Sequence, residues 1–455
     1  MKKLLLSAAA VTAFSFMAVA QQEVGTDVNQ YGQVVTSKPV KAELQDGILV
    51  FKNAQENYKM WFDVRVQADA AAYFGQDEDY DPIGNGMSIR RARFAVKAQL
   101  DKNWYGEIDT DWTSGIPEIK DAVVAYYGIP HTEIQVGNFK ENFSIQRNTT
   151  SRYLQFMERP MVTALAPSRH LGANLTYAHN WIWLSAGVFG PELKGSEEQT
   201  AMEDNNKDFG RSEGLSYTVK AVYRPLYKSD NSSLHLGAAW SYREPKTTST
   251  DGYGVARYSS RNSTNINRKK YLDTNTITGL DHEIAYTFEL AGHYNGLRYE
   301  AAYIARTAYL DRAVNDKGPQ KADGWYAQAG YMLFGGSQNY DADGAKYTRI
   351  KRGQGWGDLE LCLRYEYCDF NLPDYLGGSA EAYTVGFNFY PNENVKIILN
   401  YQFNNNDRYA NGKGKLLVGH DDTGAATKDY TKVAETAGKA GVDYNMVAMR
   451  FQVAF

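Results

Sequence analysis

The chain closes on "YNMVAMRFQVAF", residues 444–455, where Val447, Met449, Phe451, Val453 and Phe455 alternate with Tyr444, Met446, Ala448, Arg450, Gln452 and Ala454. Successive side chains of a strand point to opposite faces. One face of this segment is therefore continuously apolar and the other mostly small or polar. The same two-residue period recurs at 58–72, 88–100, 104–112, 118–128, 132–139, 171–178, 181–189, 214–225, 233–243, 282–293, 297–310, 323–334, 358–369, 381–390 and 395–404. The pattern predicts about sixteen strands, each near the length a tilted strand needs to cross a bilayer.

The connections alternate as well. With the N-terminus taken as periplasmic, every second one is short: 101–103, 129–131, 179–180, 294–296 and 391–394, with the Asn, Gly and Pro of tight turns. The intervening connections at 73–87, 140–170, 190–213, 244–281 and 405–443 are long and polar. This layout predicts an all-β fold: a transmembrane antiparallel β-barrel with short periplasmic turns and long extracellular loops. Residues 335–357 break the rule, which implies a missed hairpin or a folded insertion. A soluble all-β repeat would pack its apolar face inside. Here one face of 358–369 is Leu359, Leu361, Leu363, Tyr365 and Tyr367, and the other contains Glu360, Arg364 and Glu366. Charges at the centre suit a wet lumen and not a dry core.

Composition supports a membrane setting although the mean hydropathy is negative. The 34 Tyr, 19 Phe and 8 Trp suit the two membrane–water interfaces. Lys2 and Lys3, the apolar run 4–16 and Ala18-Val19-Ala20 read as a signal peptide, 1–20, cleaved on export. Residues 21–57 are expected to form a periplasmic extension, with "GILVFK" as one short strand, and 58–455 the barrel. Cys362 and Cys368 lie six residues apart on one strand. That span is about 20 Å, too long for a disulfide. The net charge of −4 becomes −6 without Lys2 and Lys3, which gives no sign of a nucleic-acid partner. The acidic run 77–81 lacks the glycine of an EF-hand loop. Seven scattered His and the absence of a nucleophile–base motif point away from a metal site, a cofactor or an enzyme.

Candidate chemistry is cationic. In "SIRRARFAVKAQL", 88–100, Arg91, Arg93 and Lys97 share the face opposite Phe94, Val96 and Leu100. Glu107, Asp109 and Asp111 on the next strand could neutralise them. Loop 140–170 carries Lys140, Arg147, Arg152, Arg159 and Arg169 against Glu141 and Glu158. Its apolar content is too high for a freely waving loop, so it is expected to fold into the barrel and narrow the pore. The loop 244–281 holds Arg257, Arg261, Arg268, Lys269 and Lys270, read as a basic cluster without neighbouring acids.

The motifs "SIRRARFAVKAQL", "IKDAVVAYYG" (119–128), "VGNFKENFSIQ" (136–146), "FMERP" (156–160), "SRHLGANLTY" (168–177), "GDLELCLRYEYCDF" (357–370) and "TVGFNFYPNENVKIILNYQF" (384–403) resemble the phosphate-selective porin O/P family. The resemblance implies a sixteen-stranded outer-membrane barrel in a Gram-negative bacterium, typically a homotrimer. It implies passive diffusion of phosphate or polyphosphate through a lumen lined by arginine and lysine. The matched cations are Arg90, Arg91, Arg93, Arg159 and Arg169. Phe455 resembles the terminal aromatic that barrel-assembly machinery reads. With Lys97, Arg147 and Arg152 these residues form the candidate pore lining. Acids of lumen parity, Asp63, Asp69, Glu107, Glu289, Glu300, Glu360 and Glu366, suit a less selective diffusion pore; a plugged structural or adhesive barrel is the other alternative.

Overall fold

The computed structural model describes residues 26–36, 39–45, 47–76, 82–190, 192, 214–247, 253–266, 269–410, 416–434 and 441–455. The predicted signal peptide, the acidic run 77–81 and Arg268 lie outside the described residues.

Sixteen long strands close into one antiparallel barrel. They are β1 (Lys59–Phe74), β2 (Gly86–Leu100), β3 (Trp104–Asp111), β4 (Glu118–Tyr126), β5 (Thr132–Lys140), β6 (Arg169–His179), β7 (Ile182–Phe189), β8 (Ser216–Tyr223), β9 (Ser232–Arg243), β10 (Ile277–Tyr294), β11 (Leu297–Leu310), β12 (Gln320–Met332), β13 (Asp358–Asn371), β14 (Leu376–Tyr390), β15 (Val395–Asn406) and β16 (Tyr444–Ala454). Each predicted segment overlaps one of these strands. β16 pairs back onto β1, with Arg450 opposite Asp69 and Phe451 opposite Ala68. Phe455 extends the seam by exchanging backbone hydrogen bonds with Val64 at 2.7 and 3.0 Å. Closure leaves no unpaired sheet edge facing lipid.

The alternation resolves by face. On β16, Val447, Met449 and Phe451 are 39–45 % exposed, while Met446, Ala448 and Arg450 are at most 1 % exposed. On β15, Leu399 and Tyr401 point outward and Asn400 and Gln402 inward. The outside is thus apolar and the inside carries the charges.

Among the register shifts of the barrel, two re-aim charged residues. Between β1 and β2 the register steps from Gln67 opposite Arg91 to Ala68 opposite Ile89, leaving Arg90 as the extra residue. Between β3 and β4 it steps from Asp109 opposite Asp121 to Thr110 opposite Ile119, leaving Lys120 extra. A bulge re-aims side chains. Here it lets the sequence neighbours Arg90 and Arg91, and Lys120 and Asp121, line the same interior space.

The interior is not uniformly wet. The β5–β6 connection enters the barrel and includes a short helix, α1 (Ile145–Asn148). Its Phe143, Ile145, Phe156, Met157 and Leu165 are essentially fully buried. Phe143, Met161, Val162 and Leu165 belong to one apolar cluster with the wall alanines Ala285, Ala302, Ala308, Ala322 and Ala382. Small wall residues leave room for the loop's large ones, so the β10–β14 side is dry.

The basic cluster at 257–270 is also corrected. By sequence it reads as lacking neighbouring acids, yet Arg257 forks onto Asp273, because a short pairing sets Ser259 opposite Asp273. The same connection buries Tyr258, Tyr271 and Leu272.

The 333–357 connection is a folded insertion. Tyr340–Asp341 pairs with Lys346–Tyr347, and Tyr347 is buried. Its hydroxyl donates toward the Gly292 and Tyr299 carbonyls at 2.7 and 2.8 Å, and the Arg298 guanidinium stacks 3.6 Å over its ring. At the N-terminal end four short strands form where one was expected: Thr26–Val28 pairs with Val34–Thr36, and Val40–Gln45 pairs with Ile48–Asn53, which continues onto β1.

Candidate functional site: a basic passage through the barrel

Hydrogen bonds anchor the inward loop to β10–β15. The Ile145 amide donates to Glu289 at 2.5 Å, Gln146 to Glu300 at 2.6 Å, Gln155 to Glu360 at 2.7 Å and the Met161 amide to Glu366 at 2.5 Å. Lys396 donates to the Leu154 carbonyl at 2.6 Å. These wall acids therefore act as acceptors for the loop. Of the seven acids given lumen parity by sequence, only Glu107 faces the space that remains.

That space is a cavity of about 750 Å³ between the loop and the β1–β7 wall. Arg261 and Lys270 of the β9–β10 connection line it, as do Asp343 and Lys346 of the insertion that enters from the opposite end. Connections from both ends of the barrel thus contribute to its lining. Seven of the eight predicted residues line it: Arg90, Arg91, Arg93, Lys97, Arg147, Arg159 and Arg169. Arg65, Lys120, Lys140, Arg261, Lys270 and Lys346 join them, giving thirteen cations. Seven acids face them: Glu107, Asp109, Asp111, Asp121, Glu133, Glu158 and Asp343. The lining thus has six more positive than negative side chains.

Arg152 is placed elsewhere. It is buried, pairs with Asp63, and lines a smaller cavity with Arg298 and Lys396.

The wall cations are largely paired. Arg93 meets Asp109 at 3.4 Å and Asp111 at 3.3 Å; Lys97 meets Asp63 at 2.9 Å and Glu107 at 3.2 Å. Arg169 forks onto Asp121 at 3.0 and 2.7 Å. Arg90 forks onto Glu158 at 2.5 and 3.0 Å. Lys140, Arg147 and Arg159 differ. Lys140 donates to the Arg147 carbonyl at 2.9 Å, Arg147 to those of Thr163 and Ala166 at 2.7 and 3.2 Å, and Arg159 to those of Gln146 and Thr149 at 2.5 and 2.8 Å. Among the described residues no carboxylate lies within ion-pair distance of these three. Burial, and after it neighbouring guanidiniums, lower the pKa of both Arg147 and Arg159. Carbonyls bond these side chains without cancelling their charge, so the positive field there stays available to a mobile anion.

Sequence reasoning missed Arg65, Lys120 and Lys346 as lining residues. Lys120 requires the bulge, and Lys346 requires an insertion whose path the alternation does not reveal.

The sequence matches the family described as "Phosphate-selective porin O and P" over residues 62–455. The chain belongs to this porin family. It is 25% identical to "Porin O" of Pseudomonas aeruginosa over 384 residues, 77% of this chain and 84% of that protein. It is 27% identical over 331 residues to a protein of Caulobacter vibrioides, covering 70% of this chain and 63% of that relative, less than two thirds of its length. The outer-membrane channel DcaP of Acinetobacter baumannii has the same fold, with a TM-score of 0.50 and 11% identity over 89% of this porin and 99% of that chain.

Proposed function

We propose that this porin is an outer-membrane channel through which small anions, phosphate foremost, diffuse passively. The observation that carries the reading is the excess of cations along the passage, with Lys140, Arg147 and Arg159 lacking a carboxylate counter-ion among the described residues. Guanidinium groups fork onto phosphate oxygens, and a series of moderate sites lets an ion enter and still leave. The loop 140–170 supplies the constriction. The wall acids Glu289, Glu300, Glu360 and Glu366 are turned toward the loop and away from the passage, which favours anion preference over a neutral diffusion pore. By family, the working assembly is a homotrimer in the outer membrane.

The test is the reversal potential of purified protein in planar bilayers under a salt gradient. Wild type should prefer anions, and Arg91→Glu with Arg93→Glu should lower the anion-over-cation permeability ratio. Equal permeability in wild type would favour the weakly selective pore. No conductance would favour a plugged barrel.

A further inference from the structure

Glu158 is the one acid in the lining of the passage that the inward loop 140–170 supplies. Its two oxygens accept from Nε and Nη2 of Arg90 at 2.5 and 3.0 Å. Nη2 of Arg450 lies 2.9 Å away and Nη2 of Arg91 4.0 Å away. A planar fork on two coplanar oxygens is how a guanidinium binds a free carboxylate or phosphate. Arg450 has a second counter-ion, since it also forks onto Asp69 at 2.7 Å. Arg91 otherwise donates to the neutral Gln67 at 2.6 Å. Among the described residues Glu158 is the only carboxylate within ion-pair distance of Arg90 or Arg91. All three line the passage, and the side chains of Arg90 and Glu158 are 26% and 16% exposed.

The carboxylate is not what holds this part of the loop. Arg364 donates to the Glu158 carbonyl at 2.9 Å, Arg450 to the Met157 carbonyl, and the Met161 amide to Glu366. The backbone on both sides of Glu158 is thus anchored without its side chain.

We propose that the Glu158 carboxylate is a tethered stand-in for the permeating anion, occupying an oxyanion site made by Arg90 and Arg91 and setting the charge an anion needs to stop there. The inference rests on the anion-channel reading above and identifies the class of ion the site selects. A tethered monoanion is always present at the fork. A free monoanion such as formate gains little by displacing it. A doubly charged oxyanion such as hydrogen phosphate gains more from the two guanidiniums and competes. Glu158 therefore keeps monovalent anions moving, and it weakens phosphate binding enough for release.

The experiment uses the full chain in planar bilayers and reads the chloride current as inorganic phosphate or formate is added. Wild type should be blocked by phosphate and not by formate. Glu158→Gln keeps the shape and removes the charge. It should lower the half-blocking phosphate concentration by about tenfold, the weight of one charge-assisted hydrogen bond, and should make formate a blocker. Glu158→Asp keeps the charge but shortens the reach, and should fall between the two. It also provides a reading if Glu158→Gln does not insert. Unchanged half-blocking concentrations in both variants would overturn the proposal. A wild type without anion preference would instead sink the anion-channel reading. The stand-in role would then be decided by whether Glu158→Gln alone creates phosphate block.

Discussion

At the scale of single residues, the acceptor of a cation decides what it can do. Arg159 donates to two carbonyls, at 2.5 and 2.8 Å, and keeps its charge for the passage. Lys97 lies between Asp63 and Glu107 and has little charge left over. The two should fail differently. Arg159→Gln should lower anion preference in reversal-potential measurements, with Arg159→Lys restoring part of it. Lys97→Met leaves two carboxylates without their shared partner and should cost about 1–3 kcal/mol in reversible unfolding from lipid vesicles. The interior parity of Arg91, Arg93 and Lys97 could be read from the sequence because Phe94 and Val96 fix the outer face of β2. Their partners could not. Arg152 finds Asp63 across 89 positions and Arg450 finds Asp69 across 381, pairings that exist only once the barrel closes and the loop enters. The alternation hides the inward turn of Arg90, which only the family resemblance supplies, since a bulge is a mismatch between two strands and neither strand shows it alone.

Between residue and molecule stand the elements that share the interior. The loop 140–170 could be anticipated from its surplus of Phe, Leu and Met, which water would not tolerate across so long a connection. The 333–357 insertion gives a weaker signal, because its inward-packed side chains are Gln338, Ala345, Tyr347 and the half-buried Tyr340, which suit a surface as well as an interior. It matters for the passage. The Tyr347 amide donates to the Thr149 hydroxyl at 3.4 Å, just beyond α1, and Tyr347 shares an apolar cluster with Ile145. The insertion buttresses the loop from the opposite end of the barrel. Tyr347→Ala removes the ring under Arg298 and the contact with Ile145. Removal of a buried aromatic costs about 3–5 kcal/mol, here borne by the insertion and not by the strand ladder. The expected readout is a larger and noisier single-channel conductance. The reversal potential should stay close to wild type, because the unpaired cations are held by carbonyls of the loop and not by the insertion.

For the whole molecule the organising fact is inverted polarity. A soluble barrel would place Leu399, Val385 and Met449 at its centre; here they face outward, while Arg450, Lys396 and Glu360 are buried. The sequence shows this arrangement only as two alternating sets, and the deciding physics is which set can form the interior. Charged residues inside need partners, and the inward segments provide them through the Lys396–Leu154 and Gln155–Glu360 bonds. The two solvents can be separated at one position. Leu399 faces outward in mid-β15, with Phe387 and Met449 opposite it on the flanking strands. If that band is immersed in lipid, Leu399→Arg should destabilise the barrel by about 2–4 kcal/mol in reversible urea unfolding from vesicles, the cost of a cation near the bilayer midplane. If water covered the same surface, replacing an exposed leucine with arginine would relieve an apolar patch, and the midpoint would stay put or rise. The sign of one measured shift therefore tests the membrane assignment directly, independent of any conductance.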